Sequence, residues 1–216
     1  MKYYLDITLL PDVETNLGFL WHKIYQQIHI LLVDNKVNEQ DSVIGLSFPD
    51  YGSKLFPLGN KLRLLAETEQ QLIDLNIAEW LVRFDDYVHL KAIKTVPSKV
   101  SEYAYFKRKN FKSPSKLRNN VDVRASAIAT KNGYDVAEVK KRLLVSIDNL
   151  EKQSTLPFIN LSSLSTDKLL SAAERRKFLL FIECQKVAIP SDNSSLFTCH
   201  GLSRRNENAQ AAVPLF

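Results

Sequence analysis

His22 and His29 stand seven residues apart near the start of the chain, which puts them on a similar azimuth of a helix, and His29 follows Ile28 at the edge of an apolar stripe. A ring placed there is anchored by packing while its nitrogens stay reachable. Imidazole titrates near neutrality, so it can accept or return a proton at physiological pH. A second chemical feature is a run of hydroxyls, Ser162, Ser163, Ser165 and Thr166, directly after a strand-like segment. Taken singly, a boundary histidine and a polar turn explain both features. Proton transfer beside a bound substrate explains them better only if something holds that substrate.

The middle of the chain supplies the holder. Between Lys99 and Arg142 there are 12 basic and 4 acidic residues, a local net of +8, whereas the whole chain carries only +5. The rest is therefore net acidic, and a positive field confined to one segment points to a polyanion bound at one place. Lys107, Arg108, Lys109, Lys112, Lys116, Arg118 and Arg124 fall there, interleaved with Tyr103, Tyr105, Phe106 and Phe111. Cations meet phosphates and rings can meet bases, so nucleic acid fits this mixture. A solvated charged helix is the plainer alternative.

RNA suits a site of this kind because its 2′-hydroxyl is an internal nucleophile. The protein needs only to align that oxygen with phosphorus and to remove its proton. No metal or other cofactor is required for that chemistry, in keeping with the lack of a carboxylate cluster or histidine metal motif in the sequence. DNA lacks the nucleophile and would be bound without being cut by this route. No phosphate-binding lysine loop, dinucleotide-binding glycine pattern or hydrolase nucleophile elbow is present.

The elements that must position these groups follow from periodicity. Residues 3–9 read as a strand, and a helix over about 15–34 carries Leu17, Leu20, Trp21, Ile24, Ile28, Leu31 and Leu32 as its apolar stripe. Strands are expected at 43–48 and 61–66. Thr68 and Gln71 form a capping-box pattern that starts a helix over 69–79, and a fourth strand spans 87–95. Strand, helix, strand, strand, helix, strand is the ferredoxin-like (RRM-like) pattern, so the fold class is α+β. Pro97 and Ser98 mark a hinge, giving a domain over 1–96 and a second, divergent α+β domain over 97–216. In the latter, 101–109 is extended, Pro114 opens a helix, Asp135 with Glu138 starts another to about Leu150, and strands follow at 157–162, 177–183 and 196–199.

Cys184 and Cys199 lack metal-ligand spacing and are expected as thiols. The opening residues carry neither a basic leader nor an apolar run, and no apolar stretch approaches about 18 residues. The expectation is a cytoplasmic protein with no membrane association.

Several stretches resemble the CRISPR repeat endoribonucleases of subtype I-F. They are YYLDITLLPD at 3–12, the histidine of QIHILL at 27–32, IGLSFPD at 44–50, INLSSLST at 159–166 and FTCHGLS at 197–203, in the order expected for that family. The resemblance touches nearly the full length. It implies a ferredoxin-like half with the catalytic histidine, matched by His29, and a second half for RNA recognition. It also implies that Ser163 positions the sugar with Ser165 in support. Arg108 and Asn110 would read base pairs low in the stem, and Phe178 would stack beneath the terminal pair. The products would be a 2′,3′-cyclic phosphate and a 5′-hydroxyl. The partners implied are the CRISPR repeat hairpin and protein subunits of a type I-F surveillance complex, notably the neighbouring backbone subunit.

Three departures from the pattern matter. Where the family often has a tyrosine before the GLS segment, this chain has His200, which either replaces the orienting hydroxyl or takes part in proton transfer. The recognition helix keeps Lys116, Arg118, Asn119, Asn120 and Arg124 but has lost several arginines, so affinity and salt dependence should be weaker. A longer segment between Thr166 and Phe178 supplies Lys168, Arg175, Arg176 and Lys177 as further phosphate contacts. His200 also motivates an alternative reading, a hairpin-binding structural subunit with weak or lost cleavage.

Overall fold

Strand β1, Tyr3–Leu9, buries Leu5, Ile7 and Leu9 at alternate positions, the period expected of a strand with one face in the core. In this computed structural model the residues described are 1–110, 114–151, 156–162, 177–190 and 194–216, the side chains of 114–116, 149–151 and 207 excepted. Helix α1, Leu17–Asp34, starts where the Asn16 side chain accepts the Phe19 N–H at 3.0 Å. It buries Leu20, Trp21, Ile24, Tyr25, Ile28, Leu31 and Leu32.

The chain continues through β2 (Asp41–Ser42), β3 (Gly45–Ser47), β4 (Lys61–Ala66), α2 (Glu69–Ile73), α3 (Ile77–Leu81), a 3-10 turn (Val82–Tyr87), β5 (Val88–Leu90) and β6 (Lys94–Thr95). The sheet order is β3-β4-β1-β5, with β6 also on β1 and every pairing antiparallel. That order and the element sequence are consistent with a ferredoxin-like architecture. The expected helix over 69–79 is two short helices, because Asn76 between them takes a left-handed φ of 45°. The Thr68–Gln71 capping box is present: Gln71 Oε1 accepts the Thr68 N–H, and Thr68 Oγ1 accepts the Gln71 N–H. The expected strand over 87–95 is interrupted: the Lys91 N–H still donates to the Asp6 carbonyl in the β5 register, and β6 resumes at Lys94 opposite Tyr4, one residue out of that register.

A second sheet is built from β7 (Glu102–Lys109), β8 (Phe158–Ser162), β9 (Lys177–Val187), and, past the short β10 (Phe197–Thr198), β11 (Val213–Leu215). Its order is β11-β7-β9-β8, while β10 pairs with β2. Both sheets and α1 share one continuous core. At its margin Arg63 forms a two-pronged pair with the buried Asp6, at 2.7 and 3.0 Å, and its guanidinium lies over the rings of Tyr4 and Phe216.

Residues 1–109 with 157–216 make one compact unit, and 110–156 make another. The expected hinge at 96/97 lies between β6 and β7, within the first unit. The second consists of α4 (Pro114–Asn119), α5 (Val121–Asn132) and α6 (Val136–Glu151). Its small core joins Leu117, Val121 and Ile147, with Ala125, Ala129 and Val139 beside them. Asp135 caps α6 by accepting the Glu138 N–H at 2.9 Å. Among the described residues no helix is long and apolar enough to cross a membrane.

Candidate active site

His29 lies in the last third of α1, and the turn after β10 brings His200 onto it. The two rings stack at 4.2 Å between centroids with 17° between planes. This turn is tightly specified. Thr198 N–H donates to the Leu202 carbonyl, Gly201 N–H to Thr198, and Leu46 of β3 donates back to Gly201 at 2.8 Å. Gly201 has φ 69°, and a Cβ there would come within 2.3 Å of Leu46 Cγ, so only glycine fits. The Tyr25 hydroxyl, one turn before His29 on α1, donates to the His200 carbonyl at 2.8 Å.

These contacts fix the protonation of His29. Its Nδ1 is 2.9 Å from the carbonyl of Cys199. A carbonyl only accepts, so Nδ1 carries the hydrogen and, in the neutral ring, Nε2 keeps its lone pair. Burial lowers the His29 pKa from its ordinary 6.5, the Cys199 carbonyl partly offsets that, and the Arg108 charge lowers it further. His29 is thus an imidazole oriented as a base and neutral at physiological pH.

His200 is held neutral more strongly. Burial first, then His29 and Arg108, push its pKa down to about 3, and its Nε2 is buried without a hydrogen-bond partner among the described residues. The unfolded chain takes up a proton at this residue near 6.5, whereas the folded protein resists it down to about 3. Its stabilising contribution is therefore complete above 6.5 and is lost as pH falls toward 3. Urea unfolding at pH 7 and pH 5 should show a loss on the order of 2 kcal/mol from this group. A His200→Gln protein should lose correspondingly less over that interval; parallel losses would contradict the assignment.

Arg108 belongs to the same neighbourhood through β7, where it follows Ala104 and Phe106 on the face turned to the core and pairs across from Ile182. Its guanidinium lies 5.1 Å from the Phe178 ring centroid, and its Nε is buried without a hydrogen-bond partner among the described residues. The family resemblance implies that this side chain reads a base pair low in the stem. The structure places it half-buried in a paired strand, over the aromatic ring expected to stack on RNA. Phe178 itself is partly buried at the second position of β9, opposite Leu161.

The other named residues are distributed as follows. Lys107 donates to Gln185 at 2.7 Å, and Lys109 pairs with Glu183 at 3.1 Å. Asn110 is exposed just after β7, and Lys177 is exposed at the start of β9. In the helical unit Arg118 pairs with Asp148 at 2.6 Å, while Asn119, Asn120 and Arg124 are exposed. Lys116 lies on α4, its side chain outside those described. Ser163, Ser165, Lys112, Lys168, Arg175 and Arg176 lie outside the described residues. No group of three or more His, Cys, Asp or Glu that could hold a metal ion occurs among the described residues.

Sequence reasoning missed the contributions of Tyr25 and Gln26. Gln26 Oε1 accepts the Ser162 N–H at 2.8 Å, and the His22 ring bonds the Asn160 carbonyl. The signal available was their place on the His22–His29 face of α1.

The family described as CRISPR-associated protein (Cas_Csy4) matches residues 4–216. A CRISPR-associated endonuclease Cas6/Csy4 from Pseudomonas aeruginosa (strain UCBPP-PA14) is 29% identical over 205 residues, covering 94% of this chain and 96% of the relative. One of the same description from Escherichia coli (strain UTI89 / UPEC) is 28% identical over 217 residues, covering all of both chains. A solved structure described as an RAMP protein binding different RNA substrates covers both chains fully at 11% identity, with a TM-score of 0.30, too low to bear on the fold.

Proposed function

This chain belongs to the Cas_Csy4 family of CRISPR-associated proteins, and on that premise we propose that it is a metal-independent endoribonuclease acting on precursor CRISPR RNA. It cuts at the base of the repeat hairpin and stays on the 3′ stem-loop as a subunit of a type I-F surveillance complex. The observation that carries the reading is the His29–Cys199 hydrogen bond, which leaves Nε2 as a proton acceptor. In the reaction His29 takes the 2′-hydroxyl proton, the freed oxygen attacks the adjacent phosphorus, and the 5′-oxygen leaves and takes up a proton. A 2′,3′-cyclic phosphate and a 5′-hydroxyl result.

Ser163, with Ser165, orients the ribose. Residues 1–96 carry the catalytic histidine, and 97–216 carry RNA recognition together with the serines that serve the ribose. Arg108 and Asn110 contact base edges, since a guanidinium suits guanine and an amide suits adenine. Phe178 stacks on the terminal pair. Lys107, Lys109, Arg118 and Arg124, with Lys112, Lys116, Arg175, Arg176 and Lys177, serve phosphates. Lys109 and Arg118 must exchange their carboxylate partners for RNA, which reduces the net gain from each. The working location is the cytoplasm, among the other subunits of the complex.

The stacking of His200 on His29 supports a second reading, a hairpin-binding subunit whose base has been weakened. A labelled repeat hairpin incubated with the protein in EDTA separates the two. Cleavage to a cyclic phosphate is expected, with a rate that rises with pH through a midpoint below the ordinary imidazole value of 6.5, because burial lowers the His29 pKa. RNA that is bound but intact would reject the enzyme and favour the scaffold.

A further inference from the structure

Strand β8 is the edge of its sheet, and α1 closes that edge with side chains. Ile182 N–H donates to the Pro157 carbonyl, and the register continues as Ile159 opposite Leu180 and Leu161 opposite Phe178. In an antiparallel pair alternate residues turn their main-chain groups to the neighbour, so those of Asn160 and Ser162 face the free edge. His22 meets the first of these through the Asn160 carbonyl, and Gln26 meets the second through the Ser162 N–H at 2.8 Å. His22, Gln26 and His29 follow at steps of four and three residues on one face of α1.

The cost of this arrangement identifies its purpose. An N–H needs an acceptor, so the Gln26 amide must present its oxygen to Ser162. That leaves its Nε2 buried with no hydrogen-bond partner among the described residues. A methionine would fill similar volume without burying an unpaired donor, so packing alone does not call for glutamine here. What the amide does supply is a fixed distance between the helix bearing His29 and the last described residue before Ser163.

We propose that Gln26 is a positioning residue: by holding Ser162 to α1 it sets where the hydroxyl segment begins relative to His29. The inference rests on the ribonuclease reading above. Geometry of this kind bears on rate more than on affinity, because a misplacement of about 1 Å can lower a rate by about 100-fold.

The test is single-turnover cleavage of the repeat hairpin at saturating protein, alongside affinity for a hairpin made uncleavable by 2′-deoxy substitution. Gln26→Met should cut roughly 10- to 100-fold more slowly, with affinity for the uncleavable hairpin within about threefold of the parent. Gln26→Glu keeps an acceptor for Ser162 and should restore the saturated rate to within about threefold, a rescue that loss of packing would not give. Should Gln26→Met fail to fold, Gln26→Ala provides the same contrast with Gln26→Glu. Parental cleavage by the Met or Ala variant, or a Glu variant as slow as they are, would overturn the proposal while leaving the nuclease reading intact. A parent protein that binds the hairpin without cutting it would overturn both.

Discussion

His29→Ala should lower single-turnover cleavage by roughly 10²- to 10⁴-fold, the usual contribution of a positioned general base, and leave hairpin binding close to the parent value. The expectation comes from two constraints that act on the same ring. The Cys199 carbonyl takes the Nδ1 hydrogen, and burial keeps the ring neutral at pH 7, so the ready acceptor is Nε2. Alanine removes the acceptor but not the cations on β7 and the helices that are proposed to hold phosphates, which is why affinity should survive. His200→Ala is the control. His200 resists protonation down to about 3 and its Nε2 is enclosed, so its loss should act through the orientation of His29 and cost less. If His29→Ala cut normally and His200→Ala did not, the two histidines would have to exchange roles.

Much of the positioning frame was legible because it is encoded locally. The apolar stripe of α1, the Thr68–Gln71 box and the strand pattern of β1 each need only a few neighbouring residues. Together they led to the ferredoxin-like order. Breaks in elements were less legible. Asn76 takes a left-handed conformation in the middle of a periodic run, and the pairing with β1 shifts by one residue between β5 and β6; both outcomes depend on contacts made in three dimensions.

The site divides in the same way. His29 and His200 could be singled out from their types and motifs, but not that one ring would stack on the other, because 170 residues separate His29 from the carbonyl that fixes it. Arg108 is instructive. In a list of basic residues it reads as one of three consecutive cations facing RNA, yet strand alternation puts Lys107 and Lys109 on one face and Arg108 on the other, with Phe106 and Ala104. The alternation YAYFKRK held that information; the charge count concealed it. Glu183, which pairs with Lys109, lies 74 residues away and was not predictable from the basic segment alone.

The largest effect should come from the substrate. Replacing the 2′-hydroxyl by hydrogen at the one nucleotide preceding the cleaved phosphate removes the nucleophile itself. Every protein group in the account then has nothing to activate, and the loss should exceed that of His29→Ala. Contacts to phosphates and base edges are untouched, so capture should persist. The decisive measurement is therefore cleavage and binding of this singly deoxy-substituted hairpin in EDTA, beside the all-ribose strand. An intact strand bound about as tightly as the parent is expected; scission at the same phosphate would rule out attack by the 2′-hydroxyl.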